Sequence, residues 1–530
     1  MARLTGFSKL LITLAILALV VFGGKYILDN TSFGKNLKDQ AEEASSSSGE
    51  TSSDRGDRNS SDNSDGKTLR VQLVTWGGYA PGLYFNEGAQ ANMRSRFMKD
   101  YGFKVDFKLE NDLINALNAW MAGEYDVLVQ TADAFPLYTA PDEINANKPK
   151  AFMQVDWSRG GDAIIVKRGI NTLNDLKGKT IAVAVPSPAQ TLLISSLQAA
   201  GLKYSDVTVV TTQDNLKAAE LFRSGDIDAA VVWSPDDVIA TREVAGSKIL
   251  LTTREQSHII GDIMFASQDF IDNNKSMING FYEGWMKAVA ELNANKSNRE
   301  IAAKYLAELN GVPVEDALGM MDNVYLTGHG DNKNFFGLNT TFRGKEGQDL
   351  YGDMARKFVE IGDADKIAPN WRSVIYNGAI LNADNNLKGA GYNAEKSKTF
   401  APATAKERTA PAIASKPLSI AFNTGAFELT QNAKTLIDIQ FADVAKTFGN
   451  VRVRVEGNTD NVGNKAMNMD LSKKRAQSVA DYLSNQYGMD KNRFVIIGNG
   501  PDKPVAGCET NATESCKAKN RRTEFQLIAG

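Results

Sequence analysis

Two stretches without hydrophobic periodicity divide this chain into three parts, which excludes any single fold spanning its whole length. Residues 41–66 are dominated by Ser, Asp, Glu, Gly and Arg, and residues 389–417 are rich in Ala, Lys, Thr and Pro. Segments of this composition bury too little apolar surface to fold, which is typical of linkers. We therefore expect linkers at 29–66 and 391–416. They separate an N-terminal segment at 1–28, a middle module at 67–390 and a domain at 417–530.

The N-terminal segment carries an almost wholly apolar run from Leu10 to Phe22, preceded by Arg3 and Lys9. Such a run is either a signal peptide or a membrane anchor. No small-residue cleavage site follows it, so we expect an uncleaved transmembrane helix in the inner membrane. The basic flank places the N-terminus in the cytoplasm and the rest of the chain in the periplasm. Secretion into the periplasm after cleavage is the alternative.

The charge and length of the chain limit its possible partners and its number of domains. The chain has 530 residues with 60 basic and 63 acidic side chains, for a formal net charge of −3. This balance argues against nucleic acid as a partner. The length is ample for two or three domains with hydrophobic cores.

The C-terminal domain shows both helical and strand periodicity. Val451, Val453 and Val455 alternate with polar residues, which predicts a half-buried strand. Apolar residues from Ile437 to Phe448 recur at helical spacing, and shorter apolar runs predict further strands at 418–422, 494–497 and 523–528. The pattern predicts a compact α/β sandwich.

Asp, Asn and Arg residues cluster around one predicted strand end and the helix that follows it. The motifs are Gly457-Asn458-Thr459-Asp460, Asn468, Leu471-Ser472-Lys473-Lys474-Arg475-Ala476 and Asn520-Arg521-Arg522. In this order they resemble the OmpA-like peptidoglycan-binding domain, over roughly residues 417–530. The family usually has His where this chain has Asn458.

This resemblance implies a peptidoglycan partner, bound at the diaminopimelate residue of its stem peptide. Asp460 would accept hydrogen bonds from the ammonium group, and Arg475 would pair with the carboxylate. Thr459, Asn468 and one of Arg521 or Arg522 would complete the pocket. An acid and a base held close together on a rigid frame suit a zwitterionic amino acid.

Cys508 and Cys516 are the only cysteines of the chain. They lie in one predicted loop before Asn520, at a spacing that allows a small disulfide. A disulfide fits an oxidising compartment such as the periplasm. The absence of CxxC spacing and of a nearby His argues against zinc.

The middle module alternates strand-like and helix-like runs, which is typical of α/β folds with parallel strands. Its runs at 177–187 and 224–235, and the sequence Trp76-Gly77-Gly78-Tyr79, resemble the solute-binding proteins of ABC transporters for nitrate, sulfonates, taurine and thiamine precursors. This resemblance implies the type II periplasmic-binding fold. Lobe one would comprise 69–155 and 266–390, and lobe two 160–262. The hinges would lie near 156–162 and 258–265.

The ligand cleft of such a fold lies at the carboxyl ends of strands. Candidate cleft residues stand at predicted strand ends, at a helix start and at the hinge: Thr75, Trp76, Thr131, Asp133, Asp162, Ser187, Ala189, Gln190, Thr191, Trp233, Ser234, Asp236 and Asp237. The helix start after Ser187 suits an anionic group. The aspartates, if several line the cleft, favour a ligand with a cationic or amino group.

Motifs for catalysis are lacking in the sequence. It contains no G-x-S-x-G, P-loop or G-x-G-x-x-G motif, and His258 and His329 are its only histidines. We expect no enzyme activity, no cofactor and no metal. The favoured function is a cell-envelope solute-binding protein, held at the wall, that serves ABC import through a possible permease or serves sensing. The alternative is a structural tether that uses the binding-protein fold as a protein-interaction module.

Overall fold

The computed structural model describes residues 67–420, 422–423 and 425–528. The expected anchor at 1–28 and linker at 29–66 therefore lie outside the described residues. Within these ranges, none of the helices combines the length and apolar character needed to cross a bilayer.

Strands and helices alternate along the described chain. The strands are β1 (Thr68–Leu73), β2 (Lys104–Leu109), β3 (Val127–Thr131), β4 (Pro149–Gln154), β5 (Asp156–Ser158), β6 (Asp162–Val166), β7 (Thr180–Ala184), β8 (Thr208–Thr212), β9 (Ala229–Trp233), β10 (Lys248–Thr252), β11 (Asp262–Ser267), β12 (Val324–Leu326), β13 (Ala412–Leu418), β14 (Arg452–Asn458), β15 (Phe494–Gly500) and β16 (Thr523–Ile528). The helices of the middle module are α1 (Ala80–Asn86), α2 (Arg96–Tyr101), α3 (Leu113–Met121), α4 (Phe135–Thr139), α5 (Asp142–Asn145), α6 (Pro188–Ala199), α7 (Asn215–Ser224), α8 (Asp236–Glu243), α9 (Gln268–Asn273), α10 (Lys275–Ala294), α11 (Lys296–Asn310), α12 (Val314–Asp322), α13 (His329–Phe335), α14 (Gly347–Ile361) and α15 (Gly378–Ala383). Beyond it are α16 (Ala405–Thr409), α17 (Gln431–Ile437), α18 (Asp443–Thr447), α19 (Lys465–Tyr487) and α20 (Glu514–Asn520), with a π-helical segment at Asp438–Ala442 joining α17 to α18.

The middle module consists of two lobes, each built on a five-stranded mixed sheet. Lobe one has the strand order β2-β1-β3-β11-β4, and lobe two has the order β10-β6-β9-β7-β8. In each lobe the consecutive βα units pair in parallel, while the strand that follows a crossover, β11 or β6, runs antiparallel to its neighbours. The carboxyl ends of the parallel strands are where polar side chains can face the interlobe space.

Local sequence explains why these elements begin where they do. Asp112 accepts hydrogen bonds from the backbone N–H groups of Ile114 and Asn115, which caps α3. Ser187 caps α6 by accepting from the N–H of Ala189, and Asp214 caps α7. β3 is buried at every position, as expected for a central strand covered on both faces.

Two crossovers connect the lobes. The first passes through β5, which pairs with β12, and reaches lobe two at Asp162, the first residue of β6. The second leaves β10 and enters lobe one at Asp262, the first residue of β11. Both crossovers fall in the regions where the sequence predicts hinges. β11 belongs to the sheet of lobe one, so lobe one resumes earlier than the expected residue 266.

The C-terminal domain is a four-stranded sheet with helices packed on it, in the strand order β13-β16-β14-β15. Helix α19 lies directly against the sheet, because Gly457 and Gly498 leave room for its backbone. A Cβ atom on Gly457 would stand 2.1 Å from the carbonyl oxygen of Ser472. This close approach sets the height of α19 above the end of β14.

Three sequence expectations for this domain differ from the structure. The first strand is Ala412–Leu418 rather than 418–422, so it lies largely inside the expected linker 391–416. The expected linker therefore ends before Ala412. Pro417 is tolerated within β13 because β13 is an edge strand, where a residue without a backbone N–H costs no hydrogen bond to a second neighbour. Strand β14 is buried on both faces instead of one, since Arg452 and Arg454 are covered by the segment that contains α16.

The segment between module and domain is also tied down. The backbone N–H of Glu395 donates to Asp331 at 2.7 Å, and that of Phe400 donates to Asp490 at 2.9 Å. Its composition is that of a linker, yet its polar backbone finds partners on both sides.

Candidate functional site

Four buried aspartates gather where the two lobes meet. They are Asp133 after β3, Asp156 and Asp162 on the first crossover, and Asp262 on the second. All four are at most 6% exposed. Burial is the largest cause of a raised pKa at each of them, and repulsion from a nearby carboxylate adds to it: from within the group at Asp133, Asp156 and Asp262, and from Asp237 at Asp162. The pKa of Asp133 rises to about 7 and that of Asp162 to about 6.

Neighbouring side chains stabilise three of these carboxylates. The Trp76 indole Nε1 donates to Asp156 at 2.9 Å, and the Tyr79 hydroxyl donates to Asp262. The Ser158 hydroxyl donates to Asp162 at 2.6 Å. These hydrogen bonds fix the orientation of the carboxylates without adding a positive charge.

Asp133 differs from the other three. Neither of its carboxylate oxygens has a donor in good hydrogen-bond geometry among the described residues. The hydroxyls of Thr191 and Thr131 lie close enough to oppose the rise of its pKa, and the Thr191 hydroxyl is itself without such a partner there. A buried carboxylate in this situation carries a large desolvation penalty unless a ligand donates to it.

Two tryptophans stand beside the acidic group. Trp76 packs against Gly161, where a Cβ atom would stand 2.1 Å from the indole ring. Trp233 ends β9 opposite Asp162 and is 38% exposed. Its indole and the Ser158 hydroxyl lower the pKa of Asp162 by hydrogen bonding, against the larger effect of burial. Aromatic faces beside carboxylates suit an organic cation.

The other predicted cleft residues are spread more widely. Thr75 is exposed and bonded to Asn111, and the Ser187 hydroxyl is used within its own helix cap. Gln190 donates to Asp363 of lobe one at 2.5 Å, so it joins the lobes. Asp237 is buried near Ser234, and burial raises its pKa; Asp236 is half-buried.

Sequence reasoning missed Asp156, Asp262 and Tyr79 as site residues. Asp156 and Asp262 mark the crossovers, and both lie within or at the edge of the predicted hinge regions. An aspartate at each hinge was therefore the signal that could have identified them. Tyr79 follows the Trp76-Gly77-Gly78 run directly, but its partner on β11 is remote in sequence.

A second polar group surrounds His329 in lobe one. Its ring nitrogens bond to the Tyr282 hydroxyl and to Asp384, each at 2.9 Å, and Lys333 also donates to Asp384. The group borders a cavity of about 490 Å³. These side chains satisfy one another, which is typical of a structural network. Among the described residues, no cluster of three or more His, Cys, Asp or Glu is arranged to hold a metal.

The predicted wall-binding residues lie around the end of β14 and the start of α19. Arg521 Nη1 donates to Asp460 Oδ2 at 2.6 Å, whereas Arg522 pairs with Glu524. The structure therefore brings Arg521, and not Arg522, to Asp460. Thr459 donates to the Asp460 carbonyl, and Asn468, inside α19, donates to the Val462 carbonyl at 2.9 Å.

Arg475 is held by a neighbouring loop. Its guanidinium donates to the carbonyls of Ala426 and Asn423 and lies 4.8 Å from the centre of the Phe422 ring. Burial lowers the pKa of Arg475, and the nearby carboxylate of Asp460 opposes this shift. Asp460, Arg475 and Arg521 thus form one charged group with a net positive charge.

The loop that leads to Arg521 is closed by the Cys508–Cys516 disulfide, which confirms the prediction from spacing. Within this loop, the Thr510 carbonyl accepts from Asn461 at 3.4 Å, and Glu514 lies 3.7 Å from Arg521. The disulfide loop therefore borders the charged group.

Two family models match this chain. The model described as NMT1/THI5 like matches residues 95–297, and the OmpA family model matches residues 421–521. The chain joins an NMT1/THI5-like region to an OmpA-family region. Both resemblances read from the sequence are thereby confirmed, and the fold is a two-lobed binding-protein module followed by an OmpA-family domain.

Two relatives each match less than half of this chain. The taurine-binding periplasmic protein of Escherichia coli is 29% identical over 250 residues, covering 45% of this chain and 74% of the relative. Outer membrane porin F of Pseudomonas aeruginosa is 34% identical over 151 residues, covering 28% of this chain. This chain spans 42% of the porin's length, less than half.

Solved structures similar to this chain include the aliphatic sulphonate binding protein SsuA of Escherichia coli. It is 20% identical with a TM-score of 0.45, covering 59% of this chain and 99% of SsuA.

Proposed function

We propose that this chain is a cell-envelope solute-binding protein that captures a small molecule between its two lobes and binds peptidoglycan through its OmpA-family domain. The main observation behind ligand capture is Asp133. It is a fully buried carboxylate that lacks hydrogen-bond donors in good geometry among the described residues. Its location between the lobes makes a bound ligand the natural donor.

The chemistry of the interlobe site favours a ligand with an ammonium or other cationic group. Asp133, Asp156, Asp162 and Asp262 are mutually repulsive, and no Lys or Arg is among the main contributors to their pKa shifts. An ammonium placed among them would relieve this repulsion and supply hydrogen bonds. Trp76 and Trp233 add aromatic surface for the rest of the ligand.

The similarity to a taurine-binding protein is consistent with this class, because taurine carries an ammonium group at one end and a sulfonate at the other. The beginning of helix α6 would suit the anionic end. A ligand with both charges therefore agrees with the residues at this site better than a simple oxyanion.

Calorimetric titration of the full chain tests this half of the proposal. Taurine, a diamine and sulfate are the probes, and we expect heat of binding from at least one of the two amines and none from sulfate. Asp133→Asn should weaken the amine ten- to a hundredfold, since a hydrogen bond to a charged group contributes about 1.5–3 kcal/mol. Asp365→Asn, an exposed loop carboxylate, is the matched control. Tight sulfate binding that Asp133→Asn leaves unchanged would contradict the proposal.

The OmpA-family domain supports peptidoglycan as the second partner. Asp460 and Arg475 would recognise the ammonium and carboxylate groups of the diaminopimelate residue, with Thr459 and Asn468 holding the loop around them. Arg521 joins Asp460 directly and so belongs to this pocket. An envelope location follows from the partner, with an ABC permease and membrane attachment as further parts of the proposal.

Co-sedimentation with purified sacculi tests the second half. Asp460→Ala and Arg475→Ala should each abolish sedimentation, and Arg521→Ala should reduce it about tenfold or more, because each removes a charge-assisted contact. Arg522→Ala makes the same change one residue later, where the side chain pairs with Glu524, and should sediment like the unmodified chain. Undiminished sedimentation of both Asp460→Ala and Arg475→Ala would refute this assignment.

A further inference from the structure

The OmpA-family domain contacts lobe one through its short helix α18. The Lys345 side chain pairs with Asp443 and is only 1% exposed, while Asp443 is 32% exposed, so the lysine is enclosed and its partner is half-buried. On the same helix, Lys446 Nζ lies 3.1 Å from Asp349 Oδ2 at the start of α14. Both partners on the module side belong to lobe one.

The end of α18 and the residues after it contact lobe two beside the hinge. The Thr447 carbonyl accepts from the backbone N–H of His258 at 3.3 Å, and Asn450 Nδ2 donates to the Arg254 carbonyl at 2.9 Å. Between them, Gly449 leaves room for the His258 ring, which would lie 3.0 Å from a Cβ atom at that position. Helix α18 is therefore seated between the two lobes.

The edge strand β13 makes a second contact with lobe two. The Asn174 side chain bonds to both the N–H and the carbonyl of Ser415, each at 2.8 Å, as a further strand residue would do. Lys416 Nζ donates to the Gln198 carbonyl at the end of α6 at 3.0 Å. Each of these hydrogen bonds joins a side chain to a backbone group, so the contact depends on the position of β13 relative to lobe two.

The segment before the OmpA-family domain contacts the two crossovers that form the hinge. Arg159, on the first crossover, pairs with Glu395 at 2.8 Å and donates to the Ser257 carbonyl on the second crossover at 2.9 Å. One continuous cluster contains buried apolar residues from both lobes and from the OmpA-family domain, and a second cluster lies within lobe two alone. The domain, the hinge and the two lobes thus pack as one unit.

We propose that the OmpA-family domain braces the two lobes, so that a change in the angle between the lobes requires part of this domain to detach. Two-lobed binding proteins admit and release ligands by hinge rotation. A rigid body attached to both lobes cannot keep all of its contacts while their angle changes. The domain therefore stabilises one lobe arrangement, with a coupling in the usual range of about 5- to 150-fold in the population ratio.

The distance between spin labels on the two lobes tests this brace in the full chain. Asn118→Cys in lobe one and Arg242→Cys in lobe two provide exposed labelling sites, and the native cysteines are bonded to each other. We expect one narrow distance distribution in the otherwise unmodified chain. Lys345→Glu should shift the population toward other distances at least fivefold, and Lys345→Asp combined with Asp443→Lys should restore the narrow distribution.

One control variant and one milder double variant complete the experiment. Lys465→Glu makes the same charge reversal in an exposed ion pair with Asp502, within the OmpA-family domain, and should leave the distances unchanged. If Lys345→Glu does not fold, Lys446→Ala combined with Asn450→Ala removes one contact to each lobe from less buried positions and should broaden the distribution. A distribution that stays as narrow in this double variant as in Lys465→Glu overturns the brace.

Discussion

Replacing Asp133 with asparagine should change stability and ligand binding in opposite directions. The side chain is fully buried, and its burial raises the pKa from an ordinary value of 3.8 to about 7. Asparagine has nearly the same shape but cannot ionise. The substitution therefore removes the unfavourable charge and also removes the group that would attract an ammonium ligand.

The magnitude follows from the pKa shift. Between about pH 4 and pH 7 the folded chain retains this proton while the unfolded chain has released it, so stability falls as the pH rises through that range. A shift of about three pKa units corresponds to about 4 kcal/mol. Near pH 4 the variant and the unmodified chain should be equally stable. At about pH 8 the variant should be more stable by up to that amount.

Scanning calorimetry at several pH values measures this difference in the absence of ligand. In a large domain 1 kcal/mol corresponds to about 2 °C, so the variant should unfold about 8 °C higher at pH 8. Asp365→Asn should show no such pH-dependent gain. The reasoning is refuted if Asp133→Asn unfolds at a lower temperature than the unmodified chain at pH 8, or if the difference does not vary with pH.

Three further perturbations have defined outcomes. Reducing the disulfide, or replacing Cys508 and Cys516 with serine, should weaken sedimentation with sacculi several-fold, because the loop next to Arg521 loses its constraint. The affinity for an amine between the lobes should not change. Arg493→Met should lower the free energy of unfolding by about 3 kcal/mol or more, since three carbonyl oxygens lose their buried donor, as denaturant titration can measure. Gly161→Ala should displace the Trp76 ring and reduce amine affinity with little effect on sacculi, and equal affinity in calorimetric titration would contradict that contact.

The sequence predicted most of the fold because its strands follow simple patterns. The predicted strand at 523–528 agrees with the structure residue for residue, and the predicted strand at 494–497 lies within β15, because short apolar runs mark both in the sequence. Strand β13 was misplaced because Ala412–Leu418 has a linker-like composition. Its pairing with β16 comes from tertiary context, which no local pattern contains.

The site residues also divide into those that local sequence could predict and those that only the folded chain brings together. Asp460, Thr459 and Asn468 were predicted together because the family motifs that contain them lie close together in sequence. Asp262 and its partner Tyr79 were not, because they meet only after the chain has passed through the whole of lobe two and returned. Strand-end reasoning identifies side chains on the sheets, but it does not identify those on the crossovers between them.

If the OmpA-family domain binds the wall as proposed, the short tied segment at Glu395 and Phe400 limits how far the middle module can travel. A free binding protein searches the whole periplasm, and a loosely linked one searches a sphere set by its linker. Here the tied segment would make the module move together with the domain that carries it. Its ligand would therefore be collected at a fixed distance from the peptidoglycan layer, and any partner that unloads it would have to reach that layer.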